Sequence, residues 1–312
     1  MLDLLVSLGW QARWALPAGV FVGIAWPWLA MQLRPVLTAA VIGTLATALV
    51  RIDWDRFGLV ARRPALVGTL VAWQLLLSPV LVWLAAEALR LPEAMQLALV
   101  LQGAAPPIGS AAAFAMFVGV EGTLCVVGSI LATLLLPFTL TPLVALLLPA
   151  SGVSVEIVAF FLRVSVVVGA PFLVAWILRR TVGPARLARN DQVLAGLNVL
   201  LLVVFAIAVM DGVTAALFAD PLRIGGLLLL AWVATLLLHL AGYWLLRRTG
   251  VDEAISATLL SGNRNMGLML AATAGTAGET FALYAGLAQI PMYFAPLLLG
   301  PMVRRLRRGG RA

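Results

Sequence analysis

Two apolar stretches of this chain are interrupted mid-run by residues that do not continue a helix, and the interruptions match. One lies at Ala105-Pro106-Pro107-Ile108-Gly109-Ser110, the other at Ser261-Gly262-Asn263-Arg264-Asn265. Pro107 and Asn263 stand 156 residues apart, half of the chain's 312. Unwound backbone leaves amides and carbonyls without helical partners. Within a membrane it is tolerated only where protein buries it or where it lines a polar cavity. Only folds that bring both interruptions into protected surroundings therefore remain. Arg264 adds a charge inside an apolar run, which by default marks a functional-site candidate.

Composition sets the solvent. At 63% hydrophobic and 11% charged residues, with a mean hydropathy of +1.07, the chain is not a soluble globular one. Apolar runs of the length that spans a bilayer recur throughout. The net charge of +8 rests on arginine alone, because the sequence has no lysine. Those arginines gather in short loops and in the tail (Arg304, Arg305, Arg307, Arg308, Arg311), as membrane orientation requires. No aromatic-studded basic surface is present to stack bases, so no nucleic-acid partner is expected. The single Cys125 excludes an intrachain disulfide and a cysteine-based metal cluster. Asp3 stands where a cleavable signal would be basic, so insertion of the spans themselves is the expected targeting route.

Apolar runs and their breakers predict an all-α integral membrane protein of about ten spans. The first half, about 1–150, holds spans near 14–33, 35–50, 65–89, 94–118 and 123–148. The second, about 151–312, holds spans near 156–178, 192–211, 222–246, 253–273 and 280–303. This count places sixteen arginines on the side of both termini and only Arg34, Arg90 and Arg223 opposite. The positive-inside rule then puts both termini in the cytoplasm, with the spans crossing the cell's inner (cytoplasmic) membrane. Five spans per half invert the second half relative to the first, an architecture of many secondary transporters, and broken spans 4 and 9 correspond. Chance pseudo-symmetry is the competing reading. Spans 3 and 8 also correspond, carrying Gln74, Ser78 and Pro79 in one and Thr235, His239 and Tyr243 in the other.

Broken helices supply chemistry. A half-helix N-terminus offers amide donors to an anion, while C-terminal ends and freed carbonyls hold a cation. Pro106 and Pro107 remove two donors and push the preceding backbone out of the helical region. Gly109 gives freedom for a second half-helix, and Ser110 is a candidate cap for it. Beyond Ser261, Gly262 loosens the second break, where Asn263 and Asn265 can bond freed backbone locally. The bland alternative is a pair of simple kinks. His239, the only histidine, is a candidate proton-coupling group, with a hydrogen-bonded packing role as its alternative.

At these residues the chain resembles the bile acid:sodium symporter family, as a bacterial member. Gly103 through Ser110 is similar to that family's proline-containing crossing motif in span 4. Thr133-Leu134-Leu135-Leu136-Pro137 with Thr141-Pro142 resembles its span-5 pattern, Gln74 through Pro79 its span-3 pattern, and Gly262-Asn263-Arg264-Asn265 its span-9 crossing motif. The resemblance implies a single transporter domain with a core of spans 3–5 and 8–10 and a panel of spans 1, 2, 6 and 7. It implies alternating access for a small organic anion, usually coupled to two sodium ions near the crossing.

The departures concern the sodium ligands. The family's serine-asparagine pair falls on Ala111 and Ala112, its span-5 hydroxyls on Cys125 and Ser129, its shared acidic residue on Leu260 and a glutamine on Arg264. Gln74, Ser129 and Asn265 survive as oxygen ligands. A hard cation needs several oxygens, so a degenerate site near Gln74, Cys125, Ser129 and Asn263 is expected, with sodium coupling weakened or absent. Arg264 is then a built-in cation that either ties the crossing together or attracts the anion, with snorkelling as the alternative. Full sodium symport is the competing transport mode. A receptor, a structural membrane protein and a membrane-embedded enzyme compete from other classes. An enzyme lacks its reacting set here, no phosphate loop of an ATP-driven pump is present, and no cofactor is expected. Monomer and homodimer both stay open.

Overall fold

In the computed structural model residues 5–7, 9, 11–148, 157–273 and 276–309 are described, and every regular element among them is helical. Arg311 falls outside them. Among the described residues seven helical runs are long and apolar enough to cross a membrane. They are Pro27–Val50, Pro64–Ala88, Thr123–Leu147, Ile157–Thr181, Asp191–Ala219, Pro221–Leu246 and Gly278–Pro301. Their outer faces expose large apolar side chains such as Phe138, Leu146, Val158 and Leu222. Such a surface suits lipid and not water. The chain is a multi-pass membrane protein.

The first span differs from its expected bounds. Helix α1 (Ala12–Ala25) ends at Trp26, whose φ of −129° and ψ of 73° leave the helical region, and α2 (Pro27–Leu33) begins at once. Pro27 explains the early turn, because the residue before a proline is driven to extended backbone. The second run therefore starts at residue 27 and not 35, and passes through a 3₁₀ turn at Arg34–Val36 into α3 (Leu37–Val50). Asp53 caps the short α4 (Trp54–Ala61) by accepting from the Asp55 and Arg56 amides.

Helix α5 (Pro64–Ala72) continues through a π-turn at Trp73–Leu77 into α6 (Ser78–Ala88). The first broken segment is α7 (Glu93–Ala104) and α8 (Ala111–Phe117), followed by α9 (Thr123–Leu147). Next come α10 (Ile157–Thr181), α11 (Pro184–Arg189), α12 (Asp191–Ala208), α13 (Val213–Ala219) and α14 (Pro221–Leu246). The second broken segment is α15 (Val251–Gly262) and α16 (Met266–Thr273), before α17 (Gly278–Leu287) and α18 (Gln289–Gly309).

Helix α12 packs against α1, α2 and α3, and α3 packs against α10. On the other side α14 lies along α15, α6 along α7, and α17 against both α7 and α14. Between these groups the two breaks meet.

Candidate functional site at the crossing of two broken helices

Each break leaves carbonyls that a continuous helix would have used, and several of them take a donor from the other break or nearby. Pro106 O accepts from the Asn265 amide at 2.7 Å, and Asn263 O from the Ile108 amide at 2.9 Å. These bonds form a short antiparallel bridge between Pro107 and Arg264. Pro107 has no N–H to offer Gly103 O, so the Ser78 hydroxyl donates to it instead, at 2.6 Å. Unwound backbone is thus satisfied by unwound backbone, which answers the restriction that an apolar environment imposes.

Arg264 serves three further carbonyls. It is fully buried. Its Nε donates to Ser261 O at 2.6 Å, its Nη1 to Ala105 O at 2.9 Å and Gln74 O at 3.4 Å, and its Nη2 to Ser78 Oγ at 2.9 Å. Ala105 follows the last residue of α7, and Ser261 lies in the last turn of α15. Both carbonyls belong to the negative ends of half-helix dipoles, each equivalent to roughly half a charge. The guanidinium therefore sits where two helix C-termini converge, which is where a small cation would be drawn.

The third carbonyl comes from the π-turn. Pro79 cannot donate to Leu75 O, and the turn widens so that the Ser78 amide bonds to Trp73 O. An α-turn would have bonded that amide to Gln74 O. The widened turn frees Gln74 O for Arg264. Gln74 thus contributes through its backbone, while neither polar atom of its buried side chain has a partner among the described residues.

The other predicted residues distribute as follows. Asn263 Nδ2 donates to Leu259 O at 2.9 Å, and Asn265 Oδ1 accepts from the Leu268 amide at 2.9 Å, capping α16 as its type favours. Ser261 Oγ accepts from Trp73 Nε1 at 2.8 Å. Ser110 does not cap α8. Its φ of −80° and ψ of 0° are not the extended backbone of a capping residue, and its Oγ is unpartnered among the described residues. Ser129, with Pro107 and Gly109, lines a narrow cavity of about 60 Å³, and its hydroxyl too has no partner there. Cys125 Sγ donates to Ser256 O at 3.9 Å.

His239 lies behind the second break. Its Nδ1 is 2.7 Å from Thr235 O, so that nitrogen carries the proton, and its Nε2 is 3.4 Å from Asn263 Nδ2. The ring rests directly on the Gly262 backbone, where a Cβ would overlap it. Close approach is therefore what glycine supplies at 262.

Beside the crossing runs a cavity of about 750 Å³ that reaches the end of the molecule carrying Arg51, Arg56 and Asp191. Gly109 and Ser110 form part of its wall. At its inner end Phe205 and Val41 press on Gly267 of α16, where an added Cβ would meet them at 2.6 and 2.9 Å.

The profile of the Sodium Bile acid symporter family matches residues 38–219, more than half of the chain. The chain belongs to this family. Its members are membrane transporters, so the crossing is read in a transporter of the Sodium Bile acid symporter family. A search of curated proteins gives no significant match. Where the family resemblance expects a shared acidic residue, Leu260 is fully buried, and its Cδ1 would lie 3.1 Å from a Cβ at Gly128, with Gln74 Nε2 at 3.8 Å. An apolar side chain fills the space beside that unpartnered amide. Ala111 is likewise fully buried. No group of three His, Cys, Asp or Glu side chains gathers among the described residues.

Three features are not legible from the sequence alone. The π-turn is signalled only by Pro79. Asn198, which with Thr44 lines the inner end of the cavity, is signalled by its amide in the apolar run 192–211. A buried chain in which Tyr284 donates to Gln102 and Gln102 Nε2 to Thr235 Oγ1 at 3.1 Å is signalled by Gln102 just ahead of the break. Asn198 and Gln102 are polar residues in apolar surroundings, a signal that selects candidates and not their partners.

Proposed function

We propose that this protein carries a small organic anion across the bacterial inner membrane by alternating access, without a sodium ion as an obligatory partner. The observation that carries this reading is Arg264, a fixed cation held by the carbonyls of Ala105, Ser261 and Gln74. Ten spans in two inverted halves, with both termini in the cytoplasm, account for the arginine distribution and for the pairing of the breaks. The group of α1, α2, α3, α10 and α12 is then the panel, and the helices around the crossing are the core.

The family implies a sodium site, and the residues present do not fit it. Gln74, Ser129 and Asn263 each keep an oxygen without a partner, yet the anionic ligand is replaced by Leu260 and a guanidinium occupies the converging helix ends. A second cation there would face Arg264 at short range in a medium of low dielectric. Transport is therefore driven by the anion's own gradient, or by another coupling.

The shape supports access from one side. The large cavity reaches the arginine-rich end, and beside the crossing Phe205 and Val41 of the panel close against Gly267 of the core. Rocking the panel on the core would exchange the two.

Counterflow in proteoliposomes checks the reading. Vesicles preloaded with a candidate anion are expected to accumulate the labelled anion from outside, in sodium and in choline buffer alike. Absence of counterflow across a broad set of carboxylates and sulfonates, with the protein shown to be folded, would remove the transport reading.

A further inference from the structure

The inner end of the cavity narrows to a cleft of about 20 Å³ beside the crossing, whose polar lining is Thr44, Ser110, Asn198 and Asn265. That space admits one water-sized group and no acyl chain. Gly109, Ser110, Asn198 and Leu202 line both the cleft and the large cavity, so the two are continuous.

Asn198 is held in one orientation by chemistry. Its Nδ2 lies 2.7 Å from Thr44 O and 2.7 Å from Thr47 Oγ1. A backbone carbonyl only accepts, so the atom facing it is the nitrogen. The Thr47 hydroxyl donates to Gly43 O at 2.8 Å, so it too accepts from Asn198. Both amide hydrogens are spent on α3. Oδ1, with no hydrogen-bond partner among the described residues, remains for an occupant of the cleft. Asn198 therefore offers an acceptor, which prefers a hydroxyl or an amine and has nothing for a bare carboxylate.

The rim agrees. Arg51 is paired with Asp191 at 2.7 Å, and Arg56 lies 3.4 Å from Asp53 and 3.6 Å from Glu121. Two arginines face three carboxylates around the cavity mouth, so these cations are already engaged and exert little pull on a simple anion.

Resting on the anion-transport reading above, we propose that the transported anion is a small carboxylate bearing a hydrogen-bond donor, a hydroxyl or an amine, and that Asn198 is the residue selecting it. The donor group enters the cleft and bonds to Asn198 Oδ1. The carbon skeleton and the carboxylate remain in the wider cavity. Ser110 in the same cleft carries a hydroxyl that can donate or accept, whereas Asn198 Oδ1 can only accept, so an analogue lacking the donor leaves that acceptor dry and unpaired.

The test is inhibition of counterflow by matched sets of carboxylates of three to six carbons, each set comprising the unsubstituted, 2-hydroxy and 2-amino acid. The full-length wild type should be inhibited about tenfold more strongly by a donor-bearing member than by its unsubstituted partner. Which member wins tells hydroxyl from amine. In Asn198→Leu the ratio should fall to about one. Thr47→Val removes one anchor of the amide without adding bulk, and should lower the ratio severalfold while leaving the protein folded. Equal inhibition by all three members in the wild type overturns the inference and leaves the transport reading standing. A ratio that survives Asn198→Leu but vanishes in Ser110→Ala overturns it in the same way. Failure of every anion in counterflow overturns both.

Discussion

Replacing Arg264 with methionine lowers the melting temperature of the purified protein by about 5 °C, and replacing it with lysine lowers it by roughly half as much. Methionine fills similar volume but donates nothing, so Ala105 O, Ser261 O and Gln74 O are left buried without the donor they now share. Each orphaned carbonyl costs on the order of 1–3 kcal/mol. Relief of the desolvated charge offsets part of the total. A net loss of about 3 kcal/mol corresponds to a shift of about 5 °C for a chain of this size. Lysine keeps the charge but has one nitrogen, and a point donor cannot serve acceptors placed around a planar fork. An unchanged melting temperature in Arg264→Met, measured by intrinsic fluorescence in detergent, would show that the guanidinium does not hold the crossing.

The second large effect is at Gly262. Substitution by alanine is expected to cost about 3 kcal/mol, at the upper end of overpacking penalties, because the new methyl overlaps the His239 ring. Neither partner can yield easily. The ring is fixed by its bond to Thr235 O, and the glycine backbone leads directly into the break whose carbonyls bind Ile108 and Arg264. The double variant Gly262→Ala with His239→Ala should recover most of the loss, since it removes the atoms that collide. A double variant no more stable than Gly262→Ala alone would place the strain elsewhere. The same comparison bears on His239: retained transport in the double variant argues for packing over proton coupling.

Much of the architecture is legible in the sequence because membrane folds announce themselves through length and apolarity. The apolar runs fall within a few residues of the helices, except where Trp26-Pro27 turns the chain early. That signal is present in the residue before a proline and is outweighed by continuous hydropathy. Both breaks are legible because proline, glycine and asparagine act on their own backbone. Their partnership is suggested by spacing alone, while the pairing of Pro106 with Asn265 and of Asn263 with Ile108 needs coordinates. The role of Arg264 is legible only as alternatives: a tie across the crossing, an attractor of the anion or a snorkelling side chain. Choosing between them requires knowing that Ala105 O, Ser261 O and Gln74 O converge on it, and Gln74 O is free only through a π-turn that no local pattern specifies. Ser110 fails as a cap because its backbone conformation is set by the crossing and not by its own preference. Asn198 stays hidden because a single amide in an apolar helix has no meaning until the neighbouring helix supplies Thr44 and Thr47.

The central claim is that a fixed guanidinium stands in for an exchangeable cation, and equilibrium sodium titration of the purified wild-type protein tests it most directly. Melting temperature would be followed from zero to several hundred millimolar sodium at constant ionic strength, with choline as the replacement cation. A bound ion that favours the folded state raises apparent stability as its concentration passes the dissociation constant. With Arg264 in place, the curves for sodium and choline should coincide. A saturable, sodium-specific rise of several degrees would show that a sodium site survives beside the arginine, and would contradict the claim.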